Sequence, residues 1–392
     1  MEEWIDCKIA DLGTVIGGAT PSTKKLEYYE NGSIAWITPK DLSTFRGRYI
    51  RRGERNITEL GLKSCSTQLL PKNTVLFSSR APIGYIAIAE NDLCTNQGFK
   101  SVIPNENTDP LFLYYLLKYN KNKIESMGSG TTFKEISGNT MKNIVVSVPR
   151  DKKVQEQISS MLGVIDNKIE SNEKINNNLE QQAQAIFKTE FLSLKALPNG
   201  WSQASLIDIA DYLNGLAMQK YRPSGDEIGI PVLKIKELRQ GYCDNNSELC
   251  SPNIKNEYII HDGDVIFSWS GSLLVDFWCG GICGLNQHLF KVTSSKYDKW
   301  FYYAWTKYYL DHFIYIATDK ATTMGHIKRD ELAKAEVFIP HEADYRRIGA
   351  LLQPIYDLII SNRIENKSLA LLRDTILPKL ISGKLDTSGI VT

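Results

Sequence analysis

The amino-acid sequence predicts an α+β chain built twice. Two strand-rich domains are separated by two long helices that pair as an antiparallel coiled coil, the whole forming a pseudo-two-fold internal repeat. Three observations predict this. Matching segments recur in the same order at an offset that drifts only from about 197 to about 190 residues. Short β-like runs punctuated by turn signals fill the first part of each copy. A seam of seven-residue period fills the second part. The expected boundaries are a first domain over 1–150, a central helix over 151–195, a second domain over 196–340 and a C-terminal helix over 341–385.

The repeat is read residue by residue. Trp4-Ile5-Asp6 leading to Ile9-Ala10-Asp11-Leu12 matches Trp201 leading to Leu206-Ile207-Asp208-Ile209. Ile34–Leu42 matches Ile230–Leu238, and Val75-Leu76-Phe77-Ser78 matches Val265-Ile266-Phe267-Ser268. Asn96-Gln97 matches Asn286-Gln287, Thr131-Thr132 matches Thr322-Thr323, and Val148-Pro149 matches Ile339-Pro340. A single match would be chance, but a collinear series is a duplication. Its period is too long for a solenoid, whose repeats run to roughly 20–45 residues.

Within the first copy, strands are expected at Ser33–Thr38, Thr74–Ser79, Gly84–Ala89 and Asn143–Val148. In the second they are expected at Val232–Ile235, Asp264–Trp269 and Ala335–Ile339. Asn31-Gly32, Asp262-Gly263 and Gly280-Gly281 supply turns between them. One helical stretch interrupts each domain, at Asp109–Tyr119 and at Lys299–His312.

The central helix carries Ile158, Ile165, Asn172, Leu179 and Ile186 every seventh residue, with Leu162, Ile169 and Ala183 at the companion position. The C-terminal helix repeats the spacing with Ile348, Ile355, Asn362, Leu369 and Ile376, accompanied by Leu352 and Ile359. Pro354 predicts a kink or a late helix start. Each seam has an Asn at its midpoint, a device that weakens a coiled coil but fixes its register. The short link from Glu190 to Trp201 favours antiparallel pairing, with Asn172 facing Asn362. The alternative is two amphipathic helices, each packed on its own domain.

Composition narrows the class. The 392 residues are 42% apolar and 23% charged, ordinary for a soluble chain of two or three domains. With 46 basic and 45 acidic residues the net charge is +1, which excludes a uniformly cationic nucleic-acid coat. No apolar run reaches about 18 residues, so no membrane span is expected. The acidic start lacks the apolar core of a secretory signal. Seven scattered cysteines without a Cys-x-x-Cys pair predict a reduced, cytoplasmic chain.

Catalytic motifs are missing. None of the 14 prolines is followed by Pro, so the Asn/Asp-Pro-Pro-aromatic motif of amino-methylating enzymes is absent. Gly128–Lys134 resembles a phosphate loop but lacks Gly-Lys-Ser/Thr. No Pro-Asp dipeptide, no Gly-x-Ser-x-Gly elbow and no ligand-spaced histidine pair occurs, and Cys279 and Cys283 read as core. The expectation is a recognition or scaffolding chain with no catalytic residue and no bound metal.

Charge is local. Residues 1–150 hold 19 basic and 15 acidic groups, whereas 191–340 hold 15 and 17. Between Lys40 and Arg80 nine basic residues face three acidic ones. Arg reads guanine edges bidentately, Lys and Arg neutralise phosphates, and Asn, Gln, Ser and Thr suit base edges. A solvated basic face is the plainer alternative, as are Asn-Gln pairs that satisfy loop backbone.

The whole chain resembles a specificity subunit of a type I restriction–modification system. The resemblance rests on Gly17-Gly18-Ala19-Thr20-Pro21-Ser22, on Trp36–Leu42, and on the Gly130-Thr131-Thr132 loop. A helix opening Gln155-Glu156-Gln157-Ile158 and a terminal Leu377-Pro378-Lys379-Leu380-Ile381-Ser382-Gly383 complete it. It implies two target-recognition domains, each reading one half of a bipartite, asymmetric site in double-stranded DNA. It further implies helices that set the spacer and dock two modification (methyltransferase) subunits, with restriction (motor and nuclease) subunits joining them. The chain itself would hold no cofactor, since S-adenosylmethionine, ATP and Mg belong on the partners. No membrane partner is implied.

The first domain's candidate DNA contacts are Thr20, Ser22, Lys24, Lys40, Arg46, Arg48, Arg80, Thr131, Thr132 and Lys134. In the second domain Tyr221, Arg222, Lys234 and Lys236 form a basic cluster, and Trp269-Ser270 takes the place of Ser79-Arg80. Asn286, Gln287, Thr322, Thr323 and Lys328 complete the set. Leu216-Ala217-Met218 replaces Ala19-Thr20-Pro21, and Met324-Gly325 replaces Phe133-Lys134, as two different half-sites require. The competing function is a coiled-coil adaptor whose two globular ends bind proteins.

Overall fold

The structure, a computed structural model, describes residues 3–130, 134–319, 327 and 329–385. They form two compact units, one holding the residues up to Glu170 together with those from Leu369 onward, the other Ser171–Ser368. The division falls inside both long helices rather than at their ends. Each helix gives one segment to the core of each unit.

In the first unit, Val75–Ser79 lies between Lys100–Pro104 and Ile83–Ala89 in a five-stranded sheet edged by Gly13–Gly17 and Tyr49–Ile50. All five residues of Val75–Ser79 are buried, which is why Val75-Leu76-Phe77 reads as an apolar run and not as an alternation. A second sheet orders Arg55–Ile57, Ile34–Ile37 and Cys94–Thr95, and Trp4–Lys8 pairs antiparallel with Val145–Pro149. The helix Pro110–Tyr119 starts where Asp109 Oδ2 accepts from the Phe112 amide at 2.7 Å and Pro110 presets the first turn. Its Phe112–Leu117 face is buried with Val75, Phe77 and Ile88 in one core.

The second unit repeats the plan. Asp211–Asn214, Leu289–Thr293, Val265–Ser268 and Leu274–Phe277 follow the order of the first four strands of the larger sheet. Leu249–Cys250, Ile230–Leu233 and Cys283–Leu285 repeat the smaller sheet, with Ile259–Ile260 added, and Ser202–Ser205 pairs with Glu336–Ile339. The single helix expected over Lys299–His312 is two, Lys299–Tyr308 and Leu310–Asp319. Its aromatics fill the core: Trp300, Phe301 and Trp305 are almost wholly buried with Phe267 and Phe313.

The central helix runs Lys152–Phe187 and ends in a π-helical turn, Lys188–Leu192. The C-terminal helix runs Glu342–Ile381 and passes unbroken through Pro354, so the late start does not occur. Ile158 and Leu162 pack with Leu377, Leu380 and Ile381 in the first unit. In the second, Ala183 and Phe187 pack with Ile348, Leu352 and Ile359, against which Leu179, Ile186 and Ile355 also lie. Pairs such as Asn172 with Asn366, Asn176 with Asn362 and Glu190 with Arg347 make the helices antiparallel.

The seam's polar layer differs from expectation, because Asn172 does not bond Asn362. Asn172 Nδ2 donates to Asn366 Oδ1 at 2.8 Å and to Glu365 Oε2 at 2.7 Å, and Asn362 Nδ2 donates to Asn176 Oδ1 at 2.8 Å. When helices run in opposite directions, a residue of one seam row meets the other row of its neighbour. The two Asn–Asn bonds are equivalent under the repeat, because 172 to 362 and 176 to 366 are the same shift.

Among the described residues, no helix is long and apolar enough to cross a membrane and no cluster of side chains suits a metal ion. All seven cysteines are free, and Cys279 and Cys283 are buried.

Candidate nucleic-acid interface

Loops at one end of the first domain's strands are drawn together by backbone bonds. Gly18 passes so close to Thr95 that an added Cβ would lie 2.1 Å from its carbonyl oxygen. The Ala19 amide donates to that oxygen at 3.1 Å, and the Asn96 amide donates to Ile37 O at 3.0 Å. Asn96 Oδ1 accepts from the Gly98 amide at 2.9 Å, and Thr20 Oγ1 donates to Gln97 Oε1. Ser79 donates to Gly98 O at 2.7 Å and accepts from the Ile136 amide at 3.0 Å. Five separate stretches of sequence therefore meet, bringing Thr20, Arg80 and Lys134 into one region.

The basic candidates divide by their partners. Lys40 is exposed and paired with Glu54 at 2.8 Å, which raises the lysine's pKa and lowers the carboxylate's. Lys24, Arg46, Lys134 and Ser22 are exposed. Arg80 Nη1 lies 3.4 Å from Glu135 Oε2, and Lys100 Nζ lies 3.3 Å from Glu135 Oε1.

Arg48 is a correction. Its side chain is only 5% exposed, and its Nε and Nη2 donate to Glu170 of the central helix at 2.9 and 3.2 Å. Burial alone would lower the guanidinium's pKa, but the hydrogen bonds to Glu170 and the nearby Tyr115 and Asp166 more than offset it. Beside it Tyr115 OH donates to Asp166 Oδ2 at 2.6 Å, and Arg373 Nη1 bonds Asp166 Oδ1 at 2.7 Å. Arg48 thus joins the domain to its helices and is too enclosed to meet a phosphate.

The second domain repeats the loop framework with other side chains. An added Cβ on Gly215 would lie 2.2 Å from Asn286 O. The Asn286 amide donates to Leu233 O at 3.2 Å, and its buried Oδ1 accepts from the His288 amide at 3.2 Å. Asn286 is therefore a loop-bracing residue, like Asn96, and its side chain is not presented for base reading. The Ile327 amide donates to Trp269 O at 3.1 Å, as Ile136 does to Ser79. Trp269 Nε1 donates to Asn214 Oδ1 at 3.1 Å, and its ring centre lies 5.6 Å from that of Phe290. Ser270 is buried with its Oγ 3.2 Å from His288 Nδ1, while Gln287 is half-buried beside them.

Arg222 and Lys234 share Glu248, whose carboxyl is held below its ordinary pKa chiefly by the Lys234 hydrogen bond. Lys236 pairs with Asp244 at 3.1 Å, and Tyr221 is exposed. Thr131, Thr132, Thr322, Thr323 and Lys328 lie outside the described residues.

Sequence reasoning did not single out Glu135, Lys100, Gln97 or His288 as parts of these loop ends. The repeated Asn-Gln pair was a signal for Gln97. Nothing local marks Glu135, whose partners are 35 and 55 residues away.

Comparisons with known proteins agree with this duplicated plan. The family model for the type I restriction modification DNA specificity domain matches residues 1–181 and again 198–370. The MjaIX type I restriction enzyme specificity subunit of Methanocaldococcus jannaschii is 34% identical over 98% of this chain and 94% of its own length. The HindI specificity subunit of Haemophilus influenzae is 20% identical over 98% of this chain and its whole length. Among solved structures, the type I restriction–modification S subunit of M. genitalium shares the fold, with a TM-score of 0.60 over 97% of this chain and 96% of that one at 16% identity. The chain belongs to the type I restriction modification DNA specificity family.

Proposed function

We propose that the chain is the DNA-specificity subunit of a type I restriction–modification complex and is its recognition component, not a catalytic one. The domains at 1–150 and 196–340 each read one half of a bipartite, asymmetric DNA site. The helices dock two modification subunits and set the unread spacer, and restriction subunits join that core. S-adenosylmethionine, ATP and Mg act on the partners.

One observation carries this reading beyond family membership. The same loop framework occurs twice, with different side chains at equivalent places: Ser79, Arg80 and Gly98 in the first domain, Trp269, Ser270 and His288 in the second. A duplicated frame with divergent loop ends suits two unlike half-sites. Net charge near zero suits a subunit whose partners add the phosphate contacts.

The test is to express the chain with its modification and restriction subunits and map methylated adenines across the host genome. A two-part asymmetric motif with a fixed gap is expected. Replacing 196–340 by a second copy of 1–150 is expected to make the motif symmetric. Methylation without a motif, or a motif unchanged by the replacement, overturns the assignment.

A further inference from the structure

We infer that Arg80 reads a guanine in the half-site of the first domain, and that Glu135 is the positioning residue that aims it. This deepens the proposed function and rests on it.

Arg80 directly follows the strand Val75–Ser79, whose last residue is fixed on both sides. The Ser79 amide and Oγ both donate to Gly98 O, at 2.7 and 3.1 Å, and the Ser79 carbonyl accepts from the Ile136 amide at 3.0 Å. Glu135 precedes that amide. It also closes the base of its own loop, its backbone exchanging two hydrogen bonds with Ser129 at 2.9 and 3.1 Å. Arginine and carboxylate therefore stand on backbone segments bonded to each other, so the position of each is set by main chain.

The carboxylate is shared between two cations, one oxygen each. Lys100, only 15% exposed, holds one oxygen at 3.3 Å, and the other faces Arg80 Nη1 at 3.4 Å. The half-buried lysine anchors Glu135, and Glu135 restrains Arg80, whose side chain is 36% exposed. Among the described residues Glu135 is the one acceptor of the Arg80 guanidinium. The restraint uses a single nitrogen and leaves a fork of N–H donors for a ligand. A planar fork suits the paired O6 and N7 acceptors that guanine presents in the major groove. Restraining it beforehand lowers the side-chain entropy lost on binding.

The other basic candidates differ. Arg48 is enclosed, and Lys236 is a point charge paired with Asp244. Arg222 and Lys234 share Glu248 in a comparable triad, but there the lysine is 35% exposed and not held as Lys100 is. At the equivalent corner of the second domain, Ser270 replaces Arg80, His288 replaces Gly98 and Phe290 replaces Lys100. Among the described residues that corner holds no arginine fork, so the device at this corner belongs to the first domain.

The experiment uses the complex with its modification subunits and duplexes carrying the mapped motif, at one salt concentration. Each guanine of the first half-site is replaced in turn by 7-deazaguanine, which removes the N7 acceptor. One position is expected to weaken wild-type binding roughly 10- to 100-fold, the range of a good bidentate base contact. In Arg80→Ala that position is expected to become insensitive, and in Arg80→Lys, a point donor in place of the fork, its discrimination is expected to fall, with the second half-site's profile unchanged in both. Arg80→Lys keeps the charge and guards against a folding defect. Glu135→Gln is expected to blunt discrimination at that same base and no other. Sensitivity at every guanine surviving in Arg80→Ala overturns guanine reading, and an unaltered profile in Glu135→Gln overturns the positioning role. A wild-type complex with no preference for the motif duplex overturns the underlying function instead, so the two failures are distinguishable.

Discussion

Removing Arg48 tests whether a basic residue of the first domain is structural. In Arg48→Met the Glu170 carboxylate loses its Nε and Nη2 partners at 2.9 and 3.2 Å, and Asn167 Oδ1 loses a donor. Breaking a buried ion pair from one side costs about 3–5 kcal/mol, because the remaining charge stays desolvated. Glu170 keeps 23% of its side chain exposed, so water relieves part of that cost and about 3 kcal/mol is the expected loss. In a unit of this size each kcal/mol moves the midpoint by about 2–4 °C, giving a fall of roughly 6–12 °C. Differential scanning calorimetry reads the change in the first unit's transition, since two compact units need not melt together. Arg48→Met combined with Glu170→Leu removes both charges and is expected to recover most of the loss. A single variant that melts like wild type while its complex loses methylation of the first half-site would refute the structural assignment and return Arg48 to the DNA contacts.

Replacing Asn172, Asn176, Asn362 and Asn366 together by Leu is expected to raise the second unit's melting temperature but loosen helix register. Disulfide trapping of cysteine pairs placed along the helices reads the register, and a single register with no gain in stability counts against the role of the four Asn. Gly18→Ala puts a methyl 2.1 Å from Thr95 O and should lower the first unit's melting midpoint through a loss of about 1–3 kcal/mol, sparing the second unit. Equal loss in both units would contradict the local account. The Glu190 carboxyl is held below its ordinary pKa first by its hydrogen bond with Arg347, so the pair's contribution is complete above the ordinary carboxylate value of about 4.3 and disappears as pH falls through the lowered one. Wild type should therefore lose more stability than Glu190→Gln between about pH 5 and 3 in calorimetric scans, and parallel curves would argue against it. Deleting one heptad from each helix, in register, should shorten the methylation motif's gap by about three base pairs, as seven residues rise about 10.5 Å against 3.4 Å per base pair. An unchanged gap would detach spacer length from the helices.

Much of the architecture was legible in the sequence because its signals are local. Buried strands such as Val75–Ser79, the turns between them, and the capped start at Asp109-Pro110 each follow from a few neighbouring residues. The break at Tyr309 was not legible, because the aromatic spacing continues across it while the two helices meet different parts of one core. Pro354 was misleading for the opposite reason: packing of Ile348, Leu352 and Ile359 holds a helix that local propensity would end.

The sequence by itself determined that one unit was duplicated, where the two long helices and several of the strands lie, and that no familiar catalytic motif is present. These follow from collinearity, periodicity and spacing. Only the tertiary structure decided which of the basic residues are enclosed and which remain able to meet a ligand. Arg48 and Arg80 look alike in sequence, yet one is buried against Glu170, 122 residues away, and the other is restrained by Glu135, 55 residues away. The Asn layer was decided in the same way, since Asn172 meets Asn366 through the antiparallel packing of helices 194 residues apart. Pairing over such distances depends on how whole elements pack, and no local pattern of residue types carries that information.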